Sequence, residues 1–395
     1  RDLHSFPTRR SSDLDDLCRC GSGLRYEECH GKVPEKYISK TMEPKLFSRL
    51  PENIQKKIIE DEKKTAKQGA VRPIISLDAK GYKFVAVGSQ LHYSKSWKTF
   101  HDFLHDYIKK ILDQEWGNTE LKKPFQQRHP IIQWYNSVCT FQKKNIKKEG
   151  EVHSAVCTGI VGAYLSLAYD LYLLRHHGLL QNRLIARLKD EMQFQGARYE
   201  IYVTASFIKA DFEIEFEDET DRSTSHCEFV ATHRNTGKKY SVEAKSRHRP
   251  GFLGHPGVQP QDFSTIKLRI GNLVNNALKK EAAYTRIILI DVNMPPEEGK
   301  VFEKDWFKKL LPTLDKIEEK GVEEKPCPPA YIFFTNHPYH YVGEEVPEPT
   351  RDFLMTAINI PGFKAHSRKK GEQDDPPVIA LWDSMNLHNK VPHEL

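Results

Sequence analysis

Tyr240-Ser241-Val242-Glu243-Ala244-Lys245-Ser246, together with Cys227-Glu228-Phe229-Val230-Ala231-Thr232 just before it, is the stretch that decides the fold. Both runs read as strands. Between them lies Arg234-Asn235-Thr236-Gly237, where Asn and Gly suit positive φ. The pair therefore predicts an antiparallel hairpin. A turn centred near 235–236 puts Glu228 opposite Glu243. In the second strand Ser241, Glu243 and Lys245 share one face, and Val242 and Ala244 the other. Two carboxylates and a lysine then converge on one spot. Such a pair can hold Mg²⁺ or Mn²⁺ while the metal keeps several waters. The lysine can orient an attacking water and stabilise developing charge. Glu-x-Lys alone carries no weight, because it also starts at Glu43, Glu62, Glu120, Glu298, Glu318 and Glu323. Those copies lie in charged, helical or linker text, and only Glu243 sits in a strand pattern.

Working outward, Leu184, Ile185 and Leu188 mark a helix, and a second runs from about Arg198 to Lys209. Asp211 to Glu217 predicts an edge strand with Phe212, Ile214 and Phe216 turned inward. The acids Asp211, Glu213, Glu215, Glu217, Asp218, Glu219 and Asp221 then read as its wet face rather than a cation site. Beyond Lys245 comes a mobile Gly/Pro/His loop over 248–262, then a helix from about Ser264. Arg286 to Val292 is apolar enough for a central strand. Residues 318–329 read as a linker, Tyr331 to Thr335 as a further strand, and 365–377 as a polar loop ending in proline.

The order helix, strand, acid-bearing hairpin with Glu-x-Lys, helix, strand over residues 198–292 resembles the PD-(D/E)xK nuclease superfamily, with its restriction-endonuclease-like fold. The resemblance implies metal-dependent cleavage of nucleic acid. Glu228 and Glu243 would hold Mg²⁺ or Mn²⁺, and Lys245 would be the catalytic lysine. Glu200 matches an acidic position that many members carry on the preceding helix. No Pro-Asp precedes the site, and Glu228 stands where Asp is usual. Asp211 is the alternative first acid, 32 residues before Glu243. Arg247 and Arg249 would contact phosphate, binding without reading sequence. Lys267, Arg269, Lys279 and Lys280 fall on the polar side of the next helix, which suits either phosphate contact or plain solvation. His248 and His255 read as polar loop residues. Nucleases of this superfamily often act as dimers, so a homodimer is an open possibility.

A separate signal lies near the N-terminus. Cys18-Arg19-Cys20-Gly21-Ser22-Gly23, then Tyr26, then Cys29-His30, offers four zinc ligands around a tight glycine turn. So short a segment buries little core, so a metal would supply much of its folding free energy. The spacing resembles the SEC-C motif, a structural zinc module. By that resemblance Cys18, Cys20, Cys29 and His30 ligate zinc, with no open position for catalysis. The module also mediates contacts, so a protein partner is possible. No Gly-x-x-x-x-Gly-Lys signature supports an ATPase.

Composition frames these readings. The chain has 395 residues, 38% hydrophobic, 29% charged and 10% aromatic, which excludes a disordered or fibrous chain. A formal charge of +6 is too small to argue for nucleic-acid binding by itself. The seven cysteines do not form a disulfide framework, which fits a reducing, cytoplasmic setting. Ala155 to Leu174 is strongly apolar but contains Thr158, Ser166 and Asp170, so it predicts a buried helix and no membrane span. His4 to Leu14 matches the translation of a sequencing adapter, and residues 1–14 are set aside as an artefact on that ground.

The expected architecture is α+β. Residues 15–33 form the zinc module, 34–180 a mostly helical domain with a β-hairpin (Ile74 to Leu77, Tyr82 to Val87), 181–345 the nuclease-like domain, and 346–395 a C-terminal extension. Within the helical part, one helix is expected from Ser94 or Ser96 to near Gly117, and two more over 130–144 and 153–176. The expected function is a metal-dependent nuclease. The alternative is a non-catalytic zinc-binding adaptor carrying an inactive nuclease-like fold.

Overall fold

In a computed structural model, the described residues are Lys56 and 71–395, apart from 149, 218–225, 260–265, 296, 298, 322–324, 337–342, 344, 346–351, 362–374 and 388–389. The expected zinc ligands Cys18, Cys20, Cys29 and His30 lie outside them.

The N-terminal hairpin is present as β1 (Ile75–Ala79) and β2 (Tyr82–Val87). A third strand not expected from the sequence, β3 (Gln90–Ser94), completes a small antiparallel sheet in the order β1-β2-β3. Val85 and Val87 turn inward and are fully buried.

Five helices follow: α1 (Phe100–Ile111), α2 (Gln114–Leu121), α3 (Pro130–Asn145), α4 (Gly159–His176) and α5 (Asn182–Lys189). The single helix expected from Ser94 or Ser96 to Gly117 is in fact α1 and part of α2. It starts later because Thr99 and Asp102 form a capping box, each side chain meeting the other's backbone N–H. It breaks at Asp113, which has φ 73° and whose carboxylate caps α2. The expected buried helix is α4, whose N-terminus is capped by Thr158. No described helix is long and apolar enough to cross a membrane.

Helix α6 (Phe194–Lys209) joins this helical layer to the main sheet. Phe194, Ala197, Ile201, Ala205 and Ile208 pack with the helical core, while Tyr199, Tyr202, Val203 and Phe207 pack on the sheet. An amphipathic helix needs one apolar face; α6 has two and is buried all round.

The main sheet has the order β4-β5-β6-β7-β8-β9. Its strands are β4 (Phe212–Phe216), β5 (Phe229–His233), β6 (Lys239–Ser246), β7 (Arg286–Asp291), β8 (Ala330–Asn336) and β9 (Asp352–Ile358). β4, β5 and β6 pair antiparallel, β6 runs parallel to β7 and β7 to β8, and β9 pairs antiparallel to β8. The architecture is a mixed α+β one. β4 is an edge strand with exposed Glu213 and Glu215, as its alternation predicted. β7 is central and buried.

Helices α7 (Ile270–Lys279) and α8 (Asp305–Lys320) cover one face of the sheet, packing on Ile288, Ile290, Ile332 and Phe334. Helices α6 and α9 (Pro376–Asn386) cover the other, on Val242, Ile287, Leu289 and Phe333. Three details depart from the sequence reading. α7 starts at Ile270 rather than near Ser264. α8 runs on to Lys320, into the expected linker. The segment expected as a C-terminal extension supplies β9 and α9. Pro376 and Pro377 open α9, because the first helical positions need no backbone N–H partner.

Candidate active site

The β5–β6 register sets the site. Phe229 pairs with Val242, and the Glu228 N–H donates to the Val242 carbonyl at 2.9 Å. Glu228 therefore lies one step beyond the ladder, beside Glu243. The turn works through Gly237, at φ 68°, rather than through Asn235.

β6 turns Val242 toward α6 and α9, so Glu243 and Lys245 face the α7 side. Lys245 Nζ contacts Glu243 Oε1 and lies 3.8 Å from Glu228 Oε1. A second cation completes the group. Lys280, the C-cap of α7, places Nζ 2.9 Å from Glu243 Oε1 and 3.9 Å from Glu228 Oε1. Two carboxylates thus meet two ammonium groups.

The chain path explains Lys280. β6 and β7 are parallel, so α7 must carry the chain back to the start of β7, where Arg286 pairs with Ser241. A bridge between His226 and Glu281 draws that return beside the lead-in to β5. The sequence reading had Lys280 on a polar helix face. The signal available was its place at the end of a crossover helix leading into a strand parallel to the Glu-x-Lys strand.

Burial sets the electrostatics. Glu243 is 0% exposed, and Lys245, Lys280 and Glu228 keep part of their side chains open. Burial pushes the Glu243 carboxyl pKa up; Lys245 opposes this, Glu228 adds to it, and Lys280 opposes it. Burial pushes Lys245 down, but Glu243 and then Glu228 outweigh it and raise its pKa. The one contact therefore strengthens the proton on Lys245 while only partly offsetting the burial of Glu243. Glu243 Oε1 meets two ammonium groups. Both Glu243 oxygens are buried, and neither makes a well-formed hydrogen bond among the described residues. Nearby Cys227 is held protonated, its thiol pushed up to about 12 by burial and by Glu243.

The other expected site residues lie elsewhere. Glu200 accepts a 2.6 Å hydrogen bond from Arg187 Nη1 and belongs to α6, on the opposite side of the sheet from Glu243. It is not part of the cluster. Asp211 precedes β4 at the His233 end of β5, the far end from Glu228, and accepts from Asn235. Of the two alternatives, Glu228 is the acid beside Glu243.

Arg247 and Arg249, expected at phosphate, have protein partners in this structure. The Arg247 guanidinium donates to the Val292 and Asn293 carbonyls. Arg249 is 1% exposed, donates to Gln259 Oε1 at 2.7 Å and lies over the Phe252 ring. The described part of the loop they serve is tied by hydrogen bonds. Gln195 donates to the Arg249 and Phe252 carbonyls, and Gly251 and Gly254 adopt positive φ. Arginines directly after a Glu-x-Lys strand suggested phosphate; here they pin the loop.

Compared with protein-family models, curated proteins and solved structures, the chain matches none. The site must therefore be read from its own chemistry. Two buried or half-buried carboxylates suit a hard divalent cation. Glu243, whose two buried oxygens make no well-formed hydrogen bond among the described residues, has capacity to spare as a donor. Among the described residues no three His, Cys, Asp or Glu side chains gather around a metal position. Glu228 and Glu243 are the two carboxylates the cluster offers.

Proposed function

We propose that this protein is a metal-dependent nuclease that hydrolyses phosphodiester bonds in nucleic acid. The observation that carries the reading is the meeting of Glu228, Glu243 and Lys245 across the β5–β6 hairpin. The order α6, β4, β5, β6, α7, β7 supports it, because it follows the restriction-endonuclease-like pattern. Glu228 and Glu243 would hold Mg²⁺ or Mn²⁺. When bound, such a metal lowers the pKa of water and neutralises phosphate charge. Lys245, kept protonated by its two carboxylate neighbours, orients the attacking water and faces the developing negative charge. The seven cysteines, none placed for a disulfide framework, support a cytoplasmic setting. Spacing alone supports zinc at Cys18, Cys20, Cys29 and His30, in a module suited to holding a protein partner.

The test incubates the full chain with plasmid DNA and with single-stranded RNA, in Mg²⁺, Mn²⁺ or EDTA. Cleavage should need metal and fall by about 10² or more in both Glu243→Gln and Lys245→Ala. Cleavage that persists in EDTA or in both variants would sink the proposal.

One observation favours a second reading, a non-catalytic binding protein. Both carboxylates already have cationic partners in Lys245 and Lys280, which closes the charge balance of the cluster without a metal. Folded protein that cleaves neither substrate, yet retains a partner through the zinc module, would favour it.

A further inference from the structure

We propose that Lys280 is the built-in counter-cation of this site, pairing with Glu243 and Glu228 while no metal is present and yielding its place to a divalent cation. The inference rests on the nuclease reading, because it needs Glu228 and Glu243 to be metal ligands.

Four observations bear on Lys280. Its ammonium approaches one oxygen of each carboxylate, at 2.9 Å from Glu243 and 3.9 Å from Glu228. A position that bridges two carboxylates is where a divalent cation gains most from both. Lys245 approaches the same two oxygens as closely, so the choice between the two rests on the elements that carry them. Second, Glu243 is fully buried, and a buried carboxylate needs charge partners beside it. A second cation supplies one more. Third, Lys280 comes from a different element than Lys245. Lys245 is fixed to the β6 backbone two residues from Glu243, whereas Lys280 sits on the C-cap of α7, outside the last helical turn. Its backbone is tied down by Arg286, which donates to the Lys280 carbonyl at 2.8 Å. The side chain can leave without moving either strand. Fourth, both Glu243 oxygens are buried and neither makes a well-formed hydrogen bond among the described residues. A bound cation would give them the partner they lack.

A divalent cation between these carboxylates would be repelled by both ammonium groups already there. Lys280, carried by a separate element, is the one that yields, and Lys245, on β6 beside Glu243, is the one that stays. The consequence is a site whose apparent metal affinity is set by competition with its own lysine.

The test uses the full chain in two measurements. Mn²⁺ binding is followed by the loss of free-ion paramagnetic resonance signal, in wild type, Lys280→Met, Lys280→Arg and Glu243→Gln. Thermal unfolding of the same proteins is recorded in EDTA and in Mn²⁺. We expect Glu243→Gln to abolish the binding. Lys280→Met should bind about tenfold more tightly than wild type, having lost a competing charge, and Lys280→Arg should not. In EDTA, Lys280→Met should melt lower than wild type and recover in Mn²⁺, while Lys280→Arg keeps the wild-type melt. Binding that needs Glu243 but is unchanged or weaker in Lys280→Met overturns the counter-cation role and leaves the nuclease reading standing. A melt lowered in EDTA and not restored by Mn²⁺ reduces Lys280 to a structural ion pair. Absence of any Glu243-dependent binding, in every variant, removes the metal site itself and with it the nuclease reading.

Discussion

Arg198 on α6 and Asp291 at the end of β7 form a buried ion pair across 93 residues, with Nη2 2.9 Å from Oδ2. The Ser246 hydroxyl, at the end of β6, lies 3.5 Å from the same oxygen. The pair therefore fixes the central helix to the two parallel strands at the point where β6 leaves the sheet. Burial pushes the Asp291 carboxyl pKa up and Arg198 opposes it. Arg198→Met should cost about 3–5 kcal/mol, because it leaves a buried carboxylate without its cation. Arg198→Met with Asp291→Asn should recover much of that loss. Urea unfolding of the two singles and the double measures this; full additivity would refute the coupling.

The choice of first acid is testable by contrast. Glu228→Gln should lower metal-dependent cleavage about 100-fold or more, by removing one of two proposed ligands. Glu200→Gln and Asp211→Asn should leave it nearly unchanged, because these carboxylates meet Arg187 and Asn235 rather than Glu243. Single-turnover rates on one nucleic-acid substrate separate the three. A large loss in Glu200→Gln with only a small one in Glu228→Gln would reverse the assignment.

Arg249 offers a second contrast, between packing and phosphate contact. Its guanidinium is buried between Gln259 and Phe252, inside the loop. Arg249→Ala should destabilise the fold by about 2–4 kcal/mol through lost hydrogen bonds to a charged group and lost packing. It should leave the salt dependence of nucleic-acid binding unaltered. A phosphate contact would instead reduce the slope of log affinity against log salt by about 1, with little change in stability.

The β5–β6 hairpin could be read from sequence because register is fixed jointly by the turn and by side-chain alternation. That gave the Glu228–Glu243 neighbourhood directly. β4 was legible for the same reason, its Phe-x-Ile-x-Phe run alternating with acids. Lys280 was not legible as part of the site, because it arrives by a crossover whose direction depends on β6 and β7 being parallel. α8 went unseen because Pro312 and a Glu/Lys-rich end mask its apolar stripe of Trp306, Leu310, Leu314 and Ile317. Pro376-Pro377 read as the end of a loop, although proline also suits the first turn of a helix. Asp375 then secures α9, accepting from Tyr240 at 2.6 Å and from Tyr331 at 3.0 Å. Those partners come from two separate strands and leave no local pattern.

Three buried histidines of the helical layer should each cost stability in mild acid. Burial is the largest influence on His101, His105 and His129 and lowers each from 6.5 to about 4. At His105, Lys109 adds to the lowering while Asp106 and Asp102 oppose it. The sign follows from proton binding. Between pH 6.5 and 4 the unfolded chain protonates these rings and the folded chain does not, so acid favours unfolding. The contribution of these three rings should be level above pH 6.5 and fall steadily toward pH 4, by at most about 3 kcal/mol per ring. His105→Phe keeps a ring against Tyr135, which stacks on His105 at 5.3 Å, and removes one titrating group. Chemical unfolding at pH 7.5 and at pH 5 is the measurement. The variant should lose less stability between the two than wild type does. An equal loss would mean that His105 is already charged in the folded protein, and that its surroundings are more polar than the packing of α1 against α3 and α4 implies.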